Sequence, residues 1–205
     1  CILLCRLESC GRAVLKVLRA GACLAWHLSR NLTEEAARVV LEPFDLLWLE
    51  DVVPPENVTA QREVARSTST PLAAGENRFR VHEFQALLYD FGVDVITPDI
   101  TACGGLAESK AIASRAEENY IVMSPHNVCS PVGTMAGAHL CTAIPNFGLL
   151  EYHALGVGWW EDIVEREEPL VRDGYIELTA KPGLGIELDD EAVKAHAKGP
   201  GEPFQ

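Results

Sequence analysis

From residue 46 onward the chain alternates short runs in which nearly every position is apolar with longer stretches whose apolar residues recur at helical spacing. The runs lie at 46–49, 71–74, 93–97, 121–124 and 148–150, and the helical stretches at 58–67, 81–89, 106–119 and 132–143. Strands apolar on every position are buried on both faces, and strands separated by helices pair in parallel through right-handed crossovers. The pattern therefore predicts an α/β chain of (β/α) units. Upstream, Asn31 or Thr33 is expected to cap a helix over 34–41 that Pro43 ends. Downstream, 170–179 carries an Asp173-Gly174 turn and predicts a hairpin or extended return, followed by a helix opening at Asp189 and ending in Lys194 and Lys198.

Residues 1–27 have a different character, with no Asp, no Pro and four of the seven cysteines. A helix around 13–24, or a truncated or mistranslated start, is the expectation there. The chain is accordingly divided into an N-terminal segment, 1–30, and a barrel portion, 31–205.

Polar residues placed on this frame fall into step with it. Glu50, Glu76, Asp99, His126 and Glu151 each follow an apolar run, at intervals of 26, 23, 27 and 25 residues. One unit of an eight-unit barrel of roughly 250 residues has about that length, and the C-terminal ends of its strands share the rim where active sites lie. Carboxylates gathered on one rim repel one another unless a cation holds them, and oxygen ligands favour Mg²⁺. A carboxylate beside His126 instead orients the imidazole and raises its pKa, which suits a general base.

Composition narrows the partners. Of 205 residues, 48% are apolar, enough for a sizeable core, and 17 Lys and Arg against 30 Asp and Glu leave a net charge of −13 that disfavours nucleic acid. Few lysines with an acidic excess also suit a high-salt cytoplasm. The most apolar stretch, at the N-terminus, is interrupted by Arg6, Glu8, Arg12, Lys16 and Arg19, so neither a membrane span nor a signal peptide is expected there. The cysteines show no C-x-x-C spacing, which favours reduced thiols in a cytoplasmic protein over a zinc site.

Trp48-Leu49-Glu50-Asp51, Ala74-Gly75-Glu76-Asn77, Pro98-Asp99, Gly104-Gly105, Pro125-His126-Asn127 and Leu150-Glu151-Tyr152 together resemble the mandelate racemase branch of the enolase superfamily, and within it the acid-sugar dehydratases of gluconate, galactonate or mannonate type. The resemblance runs over roughly 31–190 and implies part of a TIM-like (β/α) barrel, open at its N-terminal side. It implies that Glu50 and Glu76 are metal ligands for Mg²⁺, that Asp99 and His126 form the catalytic dyad, and that Glu151 binds the substrate carboxylate or the enediolate formed from it. His153, two residues on, is a further candidate for substrate contact. The reaction implied is dehydration of a sugar acid to a 2-keto-3-deoxy acid. Racemisation or epimerisation of a 2-hydroxy acid, or a non-catalytic remnant, are the alternatives.

The sequence also departs from the pattern. The first metal-ligand Asp belongs near 24–27, where the chain reads Leu24-Ala25-Trp26-His27, and its first Asp is Asp45. Nor is there a recognisable capping domain, so the resemblance is to a C-terminal portion, in which Mg²⁺ binding and activity are expected to be impaired. An incomplete barrel leaves an open sheet edge, from which a homo-oligomer is expected. Among other polar residues, His139 is expected to be a satisfied or surface histidine, His82 to be exposed, Trp159 and Trp160 to pack, Cys103 and Cys129 to be buried thiols, and 161–168 to form a solvated acidic face.

Overall fold

The computed structural model describes residues 46–89, 92–152 and 157–196, together with the backbone of 3–8 and 12–17. The expected helix over 34–41, residues 24–27 and His153 lie outside the described residues. A four-stranded parallel sheet forms the centre, with β3 (Leu49–Glu50), β4 (Leu72–Ala74), β5 (Val95–Ile96) and β6 (Val122–Met123) side by side in chain order. Between and after these strands come α1 (Val58–Ser67), α2 (Arg80–Tyr89), α3 (Gly105–Glu117) and α4 (Pro131–Thr142). Among the described residues β3 pairs only with β4 in this sheet.

The ladders are shorter than the apolar runs. The bond from Ser124 N to Ile96 O at 2.9 Å carries the pairing beyond the last strand residues toward their C-terminal ends. The run at 148–150 forms no ladder strand; a parallel bridge between Met123 and Phe147, with Gly148 N donating to Met123 O at 2.9 Å, nevertheless extends the order of the wall by one segment. That contact brings Glu151 beside Pro125, whose carbonyl accepts from Glu151 N at 3.2 Å.

The helices form where their caps and apolar spacing dictate. Asn57 accepts from Ala60 N at 3.1 Å and opens α1, while Ser130 accepts from Gly133 N and, with Pro131 at the first turn, opens α4. Buried Ser109, Ile112, Ala113 and Ala116 recur at three- and four-residue steps along α3. Phe84, Leu87 and Leu88 of α2 join Ile96, Ile112 and Met123 in the main core. Each such side chain contributes about 1.5–3 kcal/mol by leaving water, which fixes the helix layer against the sheet. A second cluster packs Met135 and Ala138 of α4 on Leu150 and Ile176.

The N-terminal expectation is corrected over part of its length. Residues expected in a helix around 13–24 include β2 (Arg12–Val17), an antiparallel partner of β1 (Leu3–Glu8). Its other neighbour is β8 (Tyr175–Glu177), while β7 (Val164–Glu165) pairs with β9 (Glu187–Leu188). The local helical reading yields to such distant pairing, which local pattern does not report. The tail turns back at Arg172–Tyr175, and α5 (Asp190–His196) is capped by Asp189, whose carboxylate accepts from Glu191 N and Ala192 N at 3.0 and 2.8 Å. No helix among the described residues is long and apolar enough to cross a membrane.

Candidate active site

Because four parallel strands end on one rim, the residues just beyond them meet. Asp99 follows β5 in a tight turn, where its Oδ1 accepts from Thr101 N at 2.7 Å, Thr101 Oγ1 at 2.7 Å and Ala102 N at 3.2 Å. Its Oδ2 faces His126 Nδ1, from the loop after β6, at 2.9 Å. The opposite ring nitrogen, Nε2, lies 3.2 Å from Oε2 of Glu76, which follows β4. Gly75 makes the approach of Glu76 possible: its φ is +146°, and a Cβ there would stand 2.9 Å from Phe84 Cε1 and 3.1 Å from Thr97 N.

Charge follows this geometry. Burial alone would raise the Asp99 carboxyl, but hydrogen bonds from His126 and Thr101 overcome it and hold the group down at about 2. Burial likewise works against the His126 imidazolium; the hydrogen bond to Asp99 and the nearby Glu151 and Glu76 outweigh it and raise the group to about 9. Glu151 is buried, and burial with the charge of Glu50 raises it to about 8. Its main-chain carbonyl accepts from Asn127 Nδ2 at 2.8 Å, and Asn127 in turn bonds Thr134 of α4 at 3.0 Å. That link fixes the chain segment carrying Glu151 to the loop carrying His126.

The donor set fits a hard cation. Glu50 Oε2 accepts from Trp48 Nε1 at 3.1 Å, while Oε1 is buried with no hydrogen-bond partner, the state of a carboxylate oxygen that a cation would satisfy. Burial raises the Glu50 carboxyl, the Trp48 bond opposes the rise, and the charge of Glu76 adds to it. Among the described residues no three His, Cys, Asp or Glu side chains already converge as a ligand group.

Several residues found here carry no separate role in the sequence pattern. Asp51, with φ +46°, accepts from Asn77 Nδ2 at 3.3 Å, and the same nitrogen donates to Glu76 Oε1 at 3.2 Å. Burial, then the charges of Glu76 and Glu50, raise the Asp51 carboxyl to about 7. Its place beside Glu50 in the Trp-Leu-Glu-Asp motif was the available signal. Outside the rim, Glu161 departs from the expected solvated face: it accepts from Tyr152 Oη at 2.9 Å and Leu170 N at 3.1 Å and pairs with Arg166 at 3.4 Å. His139 Nε2 meets Leu184 O at 3.2 Å, and His82 is exposed, both as expected. Trp159 is partly exposed and stacks on His196 with ring centres 4.3 Å apart.

Comparison with known proteins shows the family. The family model described as enolase C-terminal domain-like matches residues 7–192. A D-xylonate dehydratase from Haloferax volcanii is 50% identical over 156 residues, which are 76% of this chain and 38% of that protein. A D-galactonate dehydratase from Xanthomonas axonopodis pv. citri is 32% identical over 188 residues, 89% of this chain and 47% of that protein. The chain thus spans less than half the length of these curated relatives. The crystal structure of a mandelate racemase/muconate lactonizing enzyme-like protein from Rubrobacter xylanophilus superposes with a TM-score of 0.77 at 48% identity, over 91% of this chain and 45% of that one. With a parallel (β/α) wall and a family model that matches nearly its whole length, the chain belongs to the enolase C-terminal domain-like family.

Proposed function

We propose that this chain carries the proton-transfer face of a Mg²⁺-dependent sugar-acid dehydratase, a hydro-lyase that converts an aldonate to a 2-keto-3-deoxy acid. The observation that carries the reading is the His126 imidazole held between Asp99 and Glu76, with Glu50 and Glu151 among the charges that act on the same group of side chains. D-Xylonate and D-galactonate, named in the two dehydratase relatives, are the first substrates to try.

Glu50 and Glu76 would hold the cation. A bound Mg²⁺ supplies Lewis-acid stabilisation of the negative charge that develops on the substrate carboxylate. Asp99 fixes Nδ1 of His126, so Nε2 is the atom that exchanges protons. In its neutral form it takes the α-proton, and as the imidazolium it returns a proton to the departing β-hydroxyl, which leaves as water. The enol that remains tautomerises to the keto acid. Glu151, raised to about 8, keeps a proton at neutral pH and can donate it in a hydrogen bond to the substrate carboxylate. His153 stands as a second candidate for substrate contact.

The test is to incubate the chain with saturating Mg²⁺ and a panel of sugar acids in D₂O, following keto-acid formation and exchange of the α-hydrogen by NMR. Slow keto-acid formation with one or more aldonates is expected, together with its loss on chelation. Exchange with inversion and no water loss would move the reading to an epimerase. Neither exchange nor product with any acid would remove the enzyme reading for this chain. Sedimentation of the same preparation checks the expected homo-oligomer.

A further inference from the structure

We propose that Thr101, backed by the Cys129 thiol, is the positioning residue that aims Asp99 at His126; this rests on the reading of Asp99 and His126 as the proton-transfer pair. A carboxylate can rotate about its own axis and offer either oxygen. Here Oδ1 collects the three donors of its own turn, Thr101 N, Thr101 Oγ1 and Ala102 N, and Oδ2 faces Nδ1 of His126 at 2.9 Å, with the Cys129 thiol a longer donor to both. The two main-chain donors come with the turn. The Thr101 hydroxyl, at 2.7 Å, is the contact that depends on side-chain identity.

Proton counting orders the rest. The hydroxyl has a single proton, which goes to Asp99 Oδ1, so in its contact with Cys129 Sγ at 3.2 Å it can only accept, and the thiol shares its one proton between that oxygen and the Asp99 carboxylate. Burial, with the Asp99 charge adding to it, pushes the Cys129 thiol up to about 11, so it keeps the proton that this chain of donors needs. Sγ also lies 3.6 Å from both Asp99 oxygens. Behind them stands α4: a Cβ at Gly133 would be 2.5 Å from Cys129 Cβ and 3.1 Å from Thr101 Cγ2. The first turn of the helix therefore presses both residues into place and ties the loop after β5 to the loop after β6. Thr101 itself is exposed, so water can replace its hydroxyl as a donor but not as a fixed one. Its contribution is orientation.

The experiment uses the full chain labelled with ¹⁵N-histidine, in which the Nδ1–H resonance of His126 is identified by its disappearance in His126→Asn. Thr101→Val keeps the branched shape and removes the hydroxyl, and Thr101→Ser returns it. The expected result is a downfield, slowly exchanging Nδ1–H in the parent chain, lost or broadened in Thr101→Val and recovered in Thr101→Ser, with cooperative melting throughout. Where keto-acid formation is measurable, kcat should fall about tenfold in Thr101→Val with KM within about twofold, and Ser should restore it. If Thr101→Val does not fold, Cys129→Ala against Cys129→Ser makes the same comparison, with the resonance weakened by Ala and kept by Ser. An unchanged resonance in Thr101→Val, equal behaviour of Val and Ser or of Ala and Ser, or no such resonance in the parent chain would overturn the proposal. A resonance that follows the hydroxyl in a chain without turnover would uphold the positioning role and remove the dehydratase reading instead.

Discussion

His126 Nε2 lies 3.2 Å from Glu76 Oε2, so the side chain proposed to move protons and a carboxylate proposed to hold a cation form one ion pair. In the metal-free chain this pairing has a consequence for stability. His126, raised from 6.5 to about 9, contributes stability that is full below 6.5 and lost as pH rises through 9. Asp51 and Glu151, raised from 3.8 to about 7 and from 4.5 to about 8, resist ionising in the folded state, so their contribution falls as pH rises above 3.8 and 4.5 and is fully lost once pH reaches those raised values. Asp99 works in the other direction: held at about 2, its contribution is lost only as pH falls from 3.8 through 2. Metal-free protein should therefore be most stable near about pH 4 and melt several degrees lower at about pH 8.5. Calorimetry in the presence of a chelator checks this, and a melting temperature that climbs from acid to alkaline pH would contradict the charge arrangement described.

Replacing His126 separates the two halves of that ion pair. His126→Asn keeps a hydrogen-bonding group near Asp99 but removes the proton carrier, so keto-acid formation should drop by about a hundredfold or more. Mg²⁺ affinity should change by less than about tenfold, because Glu50 and Glu76 remain and Glu76 merely loses its imidazolium partner. Full activity in His126→Asn would remove the catalytic role proposed for the imidazole.

A third outcome concerns how Glu76 is delivered to the rim. Gly75→Ala requires a side-chain residue at φ +146° and places a methyl 2.9 Å from Phe84 Cε1, and Phe84 is wholly buried in the core of α2. Backbone strain and overpacking together should cost about 2–4 kcal/mol, read by denaturant unfolding. A loss within about 0.5 kcal/mol would show that the turn can relax, and that Glu76 does not depend on glycine for its position.

The periodic part of the fold was legible because each unit repeats the same short physical statement. The stretch at 58–67 is α1 to the residue, since Asn57 caps it and Pro71 lies beyond its end. The recurrence of Glu50, Glu76, Asp99 and His126 was legible for the same reason, as each follows a strand of one parallel sheet. What depends on distant neighbours was not. Arg12–Val17 is a strand whose second partner is Tyr175–Glu177, and Glu161 is drawn inward by Tyr152 and Leu170. Asp51 and Thr101 owe their chemistry to side chains on other loops, Asn77 and Cys129, which no periodicity along the chain reports.

The cation itself gives the sharpest test of what the chain retains. Glu50 offers one buried oxygen without a partner, and Glu76 offers a carboxylate already shared with His126 and Asn77. Mg²⁺ prefers several oxygen ligands in near-octahedral geometry, and two carboxylates, one of them engaged elsewhere, hold it loosely. The sequence places Leu24-Ala25-Trp26-His27 where the resemblance expects a third carboxylate, and an imidazole is a poor ligand for this ion. The chain should therefore bind Mg²⁺ weakly, with a Kd above about 1 mM, corresponding to less than about 4 kcal/mol of binding free energy. His27→Asp should tighten it by about tenfold or more if residue 27 faces the site, and keto-acid formation should rise with it. Isothermal titration with Mg²⁺ decides the matter. Micromolar binding by the unaltered chain would mean that another group completes the ligand set, and loss of that binding in His27→Ala would identify the imidazole as that group.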